Sequence, residues 1–257
     1  MKQRILTALL LLFITIPPLV CGGYLFLAYM TTVMLLAMYE LIHANANIKK
    51  NALIFIVVGL FMTSSLFDQS NDLLITSSSI LLYLTILMCV TIIEKSLKIA
   101  DSAYIFMMSC LVAAGLSGIY GLYEMDPQLL ILLGLTTYGC DSGAYFSGYF
   151  FGKHKLIPHL SPKKTIEGSI GGSIVGTSVA FLYLTYFTNL EVTVPFIAVC
   201  FILTITSQFG DLIFSAVKRQ FEIKDFSNLL PGHGGVLDRL DSLLFNAIVL
   251  SLFIIMG

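Results

Sequence analysis

Apolar runs dominate the chain, and breaks at charges and at Gly, Pro and Asn clusters divide them into nine segments. These are roughly 5–20, 23–41, 52–67, 73–93, 103–123, 128–149, 168–187, 192–209 and 240–256. A helix needs about 20 mostly apolar residues to cross a bilayer. The pattern therefore predicts an all-α fold, a polytopic membrane bundle of about nine transmembrane helices. Ser, Thr and Gly inside several segments suit the interior of such a bundle. The first two segments share a break at Pro17-Pro18, and a bent or re-entrant pair is the alternative to two separate spans there. Lys2 and Arg4 followed by an apolar run resemble a signal peptide. Without an A-x-A site, and with apolar segments continuing to the last residue, the run is expected to be retained as a span.

Composition narrows the class. Of 257 residues 57% are hydrophobic and 11% charged, with mean hydropathy +0.92. A soluble domain carries about 25% charged residues, so a water-exposed globule is excluded, as are disordered and collagen-like chains. The net charge of −1 provides no basic field for nucleic acid. Cys21, Cys89, Cys110, Cys140 and Cys200 are scattered through apolar runs with no CxxC spacing. They read as buried free thiols rather than as metal or redox sites.

The loop charges set an orientation. All 14 basic residues fall in alternate loops: Lys2 and Arg4; Lys49 and Lys50; Lys95 and Lys98; Lys153, Lys155, Lys163 and Lys164; Lys218, Arg219, Lys224 and Arg239. The other loops hold Asp68, Asp72, Glu124, Asp126 and Glu191. The positive-inside rule places the amino terminus in the cytoplasm and the carboxyl terminus outside. More than half of all charged side chains lie in 137–242, so 1–125 reads as a scaffold and 126–257 as the catalytic region. Its two long cytoplasmic loops, 149–167 and 210–239, are the functional candidates.

Asp141 lies inside an apolar segment, where a carboxylate is expensive and functional by default. Ser161-Pro162 has the form of a helix start, N-cap then N1. Lys163 and Lys164 would occupy its first turn, against the macrodipole unless an anion binds. Gly168, Gly172 and Gly176 recur every fourth residue and form a close-packing face within or between subunits. In the second block, a helix continuing past Asp211 would align Asp211, Ser215, Lys218, Arg219 and Glu222 on one stripe. A turn at Leu230-Pro-Gly-His-Gly-Gly235 then leads into Asp238, Arg239 and Asp241 at a helix start. Three glycines in four residues permit close backbone approach. The carboxylates suit Mg²⁺, which takes hard oxygen ligands and keeps water and phosphates in its shell. Zinc is disfavoured for want of spaced Cys or His. Phosphate-holding bases alternating with such carboxylates, at headgroup depth on the cytoplasmic side, suit phosphoryl or nucleotidyl transfer to a lipid. A lipid kinase, a phosphoesterase and an ion-coupled transporter share that pattern, although the chain has no evident internal repeat of the transporter kind.

The stretch 215–241 resembles the signature of the phosphatidate cytidylyltransferase family. Ser215, Lys218-Arg219, Lys224-Asp225, Pro231-x-His-Gly-Gly235 and Asp238-Arg-x-Asp241 all match it. Upstream, Asp141-x-x-Ala-Tyr-Phe-x-Gly148, Phe151-Gly-Lys-His-Lys155 and Ser161-Pro-Lys-Lys-Thr-x-Glu-Gly168 resemble the same family. Ile166 stands where many members have Trp, a departure expected to affect packing. The resemblance implies CTP and phosphatidate as substrates, CDP-diacylglycerol and pyrophosphate as products, Mg²⁺ with room for a second cation, and a homodimer in a bacterial cytoplasmic membrane. It implies no nucleic-acid partner. It implies metal ligation by Asp211, Asp238 and Asp241, with Asp141 beside them. Lys163, Lys164, Lys218, Arg219 and Arg239 would hold phosphates. Ser161, Thr165, Ser215, His233, Gly234 and Gly235 would contact substrate.

Overall fold

A computed structural model describes residues 2–48, 51–67, 77–95 and 97–256. The expected start of the fourth segment at 73 and the charges Lys49, Lys50, Asp68 and Asp72 lie outside the described residues. Among the described residues the fold is all-α apart from one small hairpin. Its helices are α1 (Lys2–Cys21), α2 (Gly23–Ala44), α3 (Ala52–Phe67), α4 (Ser77–Ile93), α5 (Ile99–Met125), α6 (Pro127–Phe151), α7 (Ile166–Phe187), α8 (Val194–Gln220) and α9 (Leu237–Met256). The strands are β1 (Lys155–Ile157) and β2 (Ser161–Thr165).

Among the described residues five helices, α2, α5, α7, α8 and α9, are long and apolar enough to cross a membrane. Leu6–Cys21 of α1, together with α3 and α4, are shorter apolar helices. The first helix break is not at Pro17-Pro18, which lie inside α1. It falls at Gly22 and Gly23, whose φ values of 63° and 54° belong to the left-handed region that glycine enters without steric penalty.

The chain forms two compact units. One contains Met1–Tyr120 with Gln220–Leu240, the other Gly121–Arg219 with Asp241–Gly257. Residues 220–240 thus pack with the amino-terminal helices.

In the first unit, α2 buries Phe26, Met30, Met34, Ala37 and Leu41. Their three- and four-residue spacing makes one helical stripe. Phe26 stacks on Tyr120 at 5.7 Å, and Phe61 on Tyr83 at 4.0 Å. The Tyr83 hydroxyl is 2.8 Å from Ser109 Oγ, so the buried phenol has a polar partner. The Asn45 amide donates to the Asp101 carboxylate at 2.7 Å, pairing a buried acid next to the end of α2.

In the second unit, Asp126 caps α6 by accepting the Gln128 N–H at 2.8 Å, with Pro127 at N1. The glycines of α7 lie directly on α6. A Cβ on Gly168, Gly172 or Gly176 would come within 3.0 Å of the carbonyl oxygens of Ala144, Cys140 and Thr136 respectively. The expected small-residue face is therefore an intrachain helix seam. The five cysteines are free, but Cys21 and Cys89 are exposed rather than buried. They occupy outward faces of strongly apolar helices.

Candidate active site

In the second unit, β1 and β2 pair antiparallel, with Lys155 opposite Thr165 and Ile157 opposite Ser161. Ser161-Pro162 is consequently a strand start, not the expected helix start. Pairing in the hairpin satisfies backbone groups of 161–165, and an edge strand tolerates Pro162. The helix opens one step after Thr165, whose hydroxyl oxygen accepts the Gly168 N–H at 3.1 Å. Thr165, expected at substrate, is thus the buried N-cap of α7. Glu167 supplies the acid that the first turn favours. Its carboxylate also accepts the N–H groups of Lys153 and His154 at 3.1 and 3.2 Å. His154 Nδ1 stands 2.6 Å from Glu167 Oε1. The motifs at 151–155 and 161–168 are one folded device.

The hairpin also separates the two lysines. Neighbouring residues of a strand face opposite sides. Lys164 forms an ion pair with Asp211, whereas Lys163 is exposed.

Asp211 lies one residue beyond Gly210 on α8. A Cβ at Gly210 would lie 2.8 Å from the Asp241 carbonyl oxygen and 3.1 Å from Ser242 Cα. This close approach of α8 and α9 brings their acids together. Asp141, Asp211 and Asp241 are near enough for their charges to repel, with Lys164 and Lys218 offsetting that repulsion. Lys218 is buried and Arg219 exposed at the end of α8. The helices carrying these groups are joined by amides. Asn246 accepts from Thr206 Oγ1 at 2.6 Å and donates to Thr137 Oγ1 at 2.8 Å. Gln208 donates to the Ser169 carbonyl at 3.2 Å and to Ser173 Oγ at 3.1 Å, and accepts from Ser169 Oγ. Among the described residues, no group of three or more His, Cys, Asp or Glu side chains forms a metal cage by itself.

The first unit contains the other half of the signature. Leu230 and Gly234 form a bridge, and Gly232 and Gly234 have φ of 78° and 86°. Only glycine adopts such values without strain. Asp238 Oδ2 accepts the N–H groups of Phe226 and Gly235, both at 2.9 Å. From α2, the buried Glu40 accepts the N–H groups of Val236 and Leu237, both at 2.8 Å, and the Ser227 hydroxyl at 2.6 Å. Arg239 Nε donates to the His233 carbonyl at 3.0 Å. Lys224, Asp225, Asn228, His233 and Arg239, with Gly232 and Gly234, line a cavity of about 510 Å³. The buried His233 Nδ1 has no hydrogen-bond partner among the described residues.

The expected residues thus fall into two local groups. Asp141, Lys164, Asp211, Lys218 and Asp241 form one, while His233, Gly234, Gly235, Asp238 and Arg239 form the other. Ser161 and Ser215 are half-buried on β2 and α8. Glu222 does not extend the α8 stripe. It lies beyond the helix end with φ of 55°, so its side chain leaves the helical register. Ile166, the departure from the family pattern, opens α7 and is 43% exposed. Sequence reading missed Glu40, Gln208 and Asn246, and quoted Glu167 within a motif without giving it a role. Glu40 carried the same signal as Asp141, a carboxylate within an apolar segment.

A family model described as "Cytidylyltransferase family" matches residues 2–256. The chain belongs to that family. It is also similar to proteins named phosphatidate cytidylyltransferase over 99% of both chains. Those from Staphylococcus haemolyticus (strain JCSC1435) and Staphylococcus aureus (strain COL) are 34% identical over 260 and 266 residues. That from Staphylococcus saprophyticus is 32% identical over 262 residues. Family membership therefore covers the amino-terminal helices as well as the signature.

Proposed function

We propose that this chain is a phosphatidate cytidylyltransferase, converting CTP and phosphatidate into CDP-diacylglycerol and pyrophosphate. The full-length likeness to relatives of that name carries the reading. The charged cluster of the second unit supports it. A phosphatidate oxygen forms a bond to the α-phosphorus of CTP, and the bond between that phosphorus and the α–β bridging oxygen breaks. The electron pair leaves with pyrophosphate. A phosphate monoester is already a nucleophile, so the chain needs cations and alignment more than a strong base.

Lys163, Lys164, Lys218, Arg219 and Arg239 neutralise phosphate charge in this reading. Ser161, Ser215, His233 and the backbone at Gly234 and Gly235 supply hydrogen bonds. His233 Nδ1, buried and unpartnered among the described residues, suits a substrate contact. Asp211 and Asp241, with Asp141 beside them, offer the donors Mg²⁺ takes. Asp238, one turn earlier on α9, joins them by family resemblance. An ion that completes its shell with water and phosphates fits a site with no ready-made cage. When bound, it would supply charge stabilisation of the phosphates.

The same reading has nine membrane-crossing helices in a bacterial cytoplasmic membrane, with the site facing the cytoplasm. The segregation of basic loops supports that orientation. The homodimer draws on family resemblance alone, because the α7 glycine face is engaged with α6.

Purified protein is incubated with phosphatidate, Mg²⁺ and CTP labelled at the α or the γ phosphate. Label entering lipid from α-labelled CTP, with pyrophosphate released, is the expected result. Label entering only from γ-labelled CTP would make the protein a lipid kinase.

A further inference from the structure

Glu40 is fully buried on α2, in a segment whose sequence reads as scaffold. Its carboxylate faces four groups of the signature loop. Oε1 accepts the Val236 N–H at 2.8 Å and the Ser227 hydroxyl at 2.6 Å. Oε2 accepts the Leu237 N–H at 2.8 Å. Gly235 lies against both oxygens, and a Cβ there would be 2.5 and 2.6 Å from them.

Leu237 opens α9, and the Arg239 N–H bonds to the Val236 carbonyl at 3.0 Å. Val236 is thus at the N-cap position with no side-chain oxygen to cap with. The first N–H groups of a helix need outside acceptors. Glu40 provides one from another helix, and its charge suits the helix dipole. Asp238 holds the loop from within, through Phe226 and Gly235. Thr7 of α1 donates to the Pro231 carbonyl at 2.9 Å. The loop carrying His233, and the helix start carrying Asp238 and Arg239, are therefore fixed by a carboxylate outside the signature.

We propose that Glu40 is a positioning residue for the transferase reaction: it caps α9 from α2 and so holds His233 and Arg239 in the geometry that binds CTP. This rests on the cytidylyltransferase reading. A buried carboxylate that meets donors only, beside a glycine that admits no side chain, is built for this contact.

The test uses the full-length protein in detergent, with KM for CTP, kcat and thermal unfolding measured for wild type, Glu40→Gln and Glu40→Asp. Glu40→Gln keeps the shape but turns an amide donor toward a backbone or hydroxyl donor. It is expected to raise KM for CTP about tenfold or more, as for a buried hydrogen-bond network broken at one partner. Glu40→Asp keeps the charge with a shorter reach and is expected to recover most of that loss, ending about two- to threefold above wild type. A wild-type KM in both variants would overturn the proposal. So would a fall in kcat that tracks the folded fraction with KM unchanged, which is the mark of a merely structural acid. If Glu40→Gln does not fold, a wild-type KM in Glu40→Asp is the overturning result. A wild-type protein that makes no CDP-diacylglycerol would instead remove the parent reading.

Discussion

Two groups of carboxylates, one in each unit, are used in opposite ways. In the first, Glu40 and Asp238 accept backbone N–H groups at 2.8 to 2.9 Å and hold one loop in shape. In the second, Asp141, Asp211 and Asp241 face one another's charge and the ammonium groups of Lys164 and Lys218. The first arrangement lowers the energy of the fold. The second leaves mutual repulsion that a bound cation can relieve. The functional group is the same, and its partners decide whether it meets donors or other charges.

The largest effect expected from this contrast is at Asp211 and Asp241. Asparagine at either position should lower CDP-diacylglycerol formation by a hundredfold or more, on the order of losing one preorganised charge contact. For Asp241→Asn thermal unfolding in the same detergent should not shift downward, because a repelling charge has been removed, whereas Asp211→Asn also gives up the ion pair with Lys164. A marked loss of stability in Asp241→Asn would erase the distinction between the units.

Asp238→Asn should fail on both counts. It weakens the acceptor of two N–H groups, which would cost about 1–3 kcal/mol of stability, and it disturbs the loop bearing His233. Denaturant unfolding alongside the activity assay checks both. Wild-type stability with lost activity would move Asp238 into the second class.

The seam between α6 and α7 tests packing without charge. Gly172→Val would press a side chain onto the Cys140 carbonyl and the Ala144 Cβ. Overpacking of this kind costs about 1–3 kcal/mol. Unfolding should be earlier, and the protein that remains folded should keep its KM for CTP.

The smallest effect is at Thr165. Removal of its cap in Thr165→Ala should cost about 1 kcal/mol, and Thr165→Ser should restore most of it. Unfolding midpoints measure the difference. A large rise in KM for CTP in Thr165→Ala, absent from Thr165→Ser, would return the hydroxyl to the substrate site.

Much of this molecule was legible in the order of its residues. Apolar runs foretold the helices, because a segment with so few charges has no other way to satisfy its backbone in a membrane. The glycines at 168, 172 and 176 announced a close seam, since their period matches one helix face. The signature at 215–241 identified the family before any contact was known. Asp141 stood out by the cost of a carboxylate in an apolar segment, Asp211 by its place on a polar stripe, and Asp241 by its pairing with Asp238 at a helix start.

Partners were decided only in three dimensions. Ser161-Pro162 looked like a helix start, and pairing with 155–157 made it a strand, because a backbone takes whichever hydrogen-bond partner the fold supplies. Thr165 was expected at substrate, and the structure gives its hydroxyl a further role as the cap of α7. Glu40 gave no sign of its target, 196 residues away along the chain. Local propensity depends on neighbours in sequence, so pattern alone could set the helices and name the chemistry. A carboxylate's role depends on which donors meet it in space, and tertiary structure alone assigned those donors to Glu40, Asp238 and Asp211.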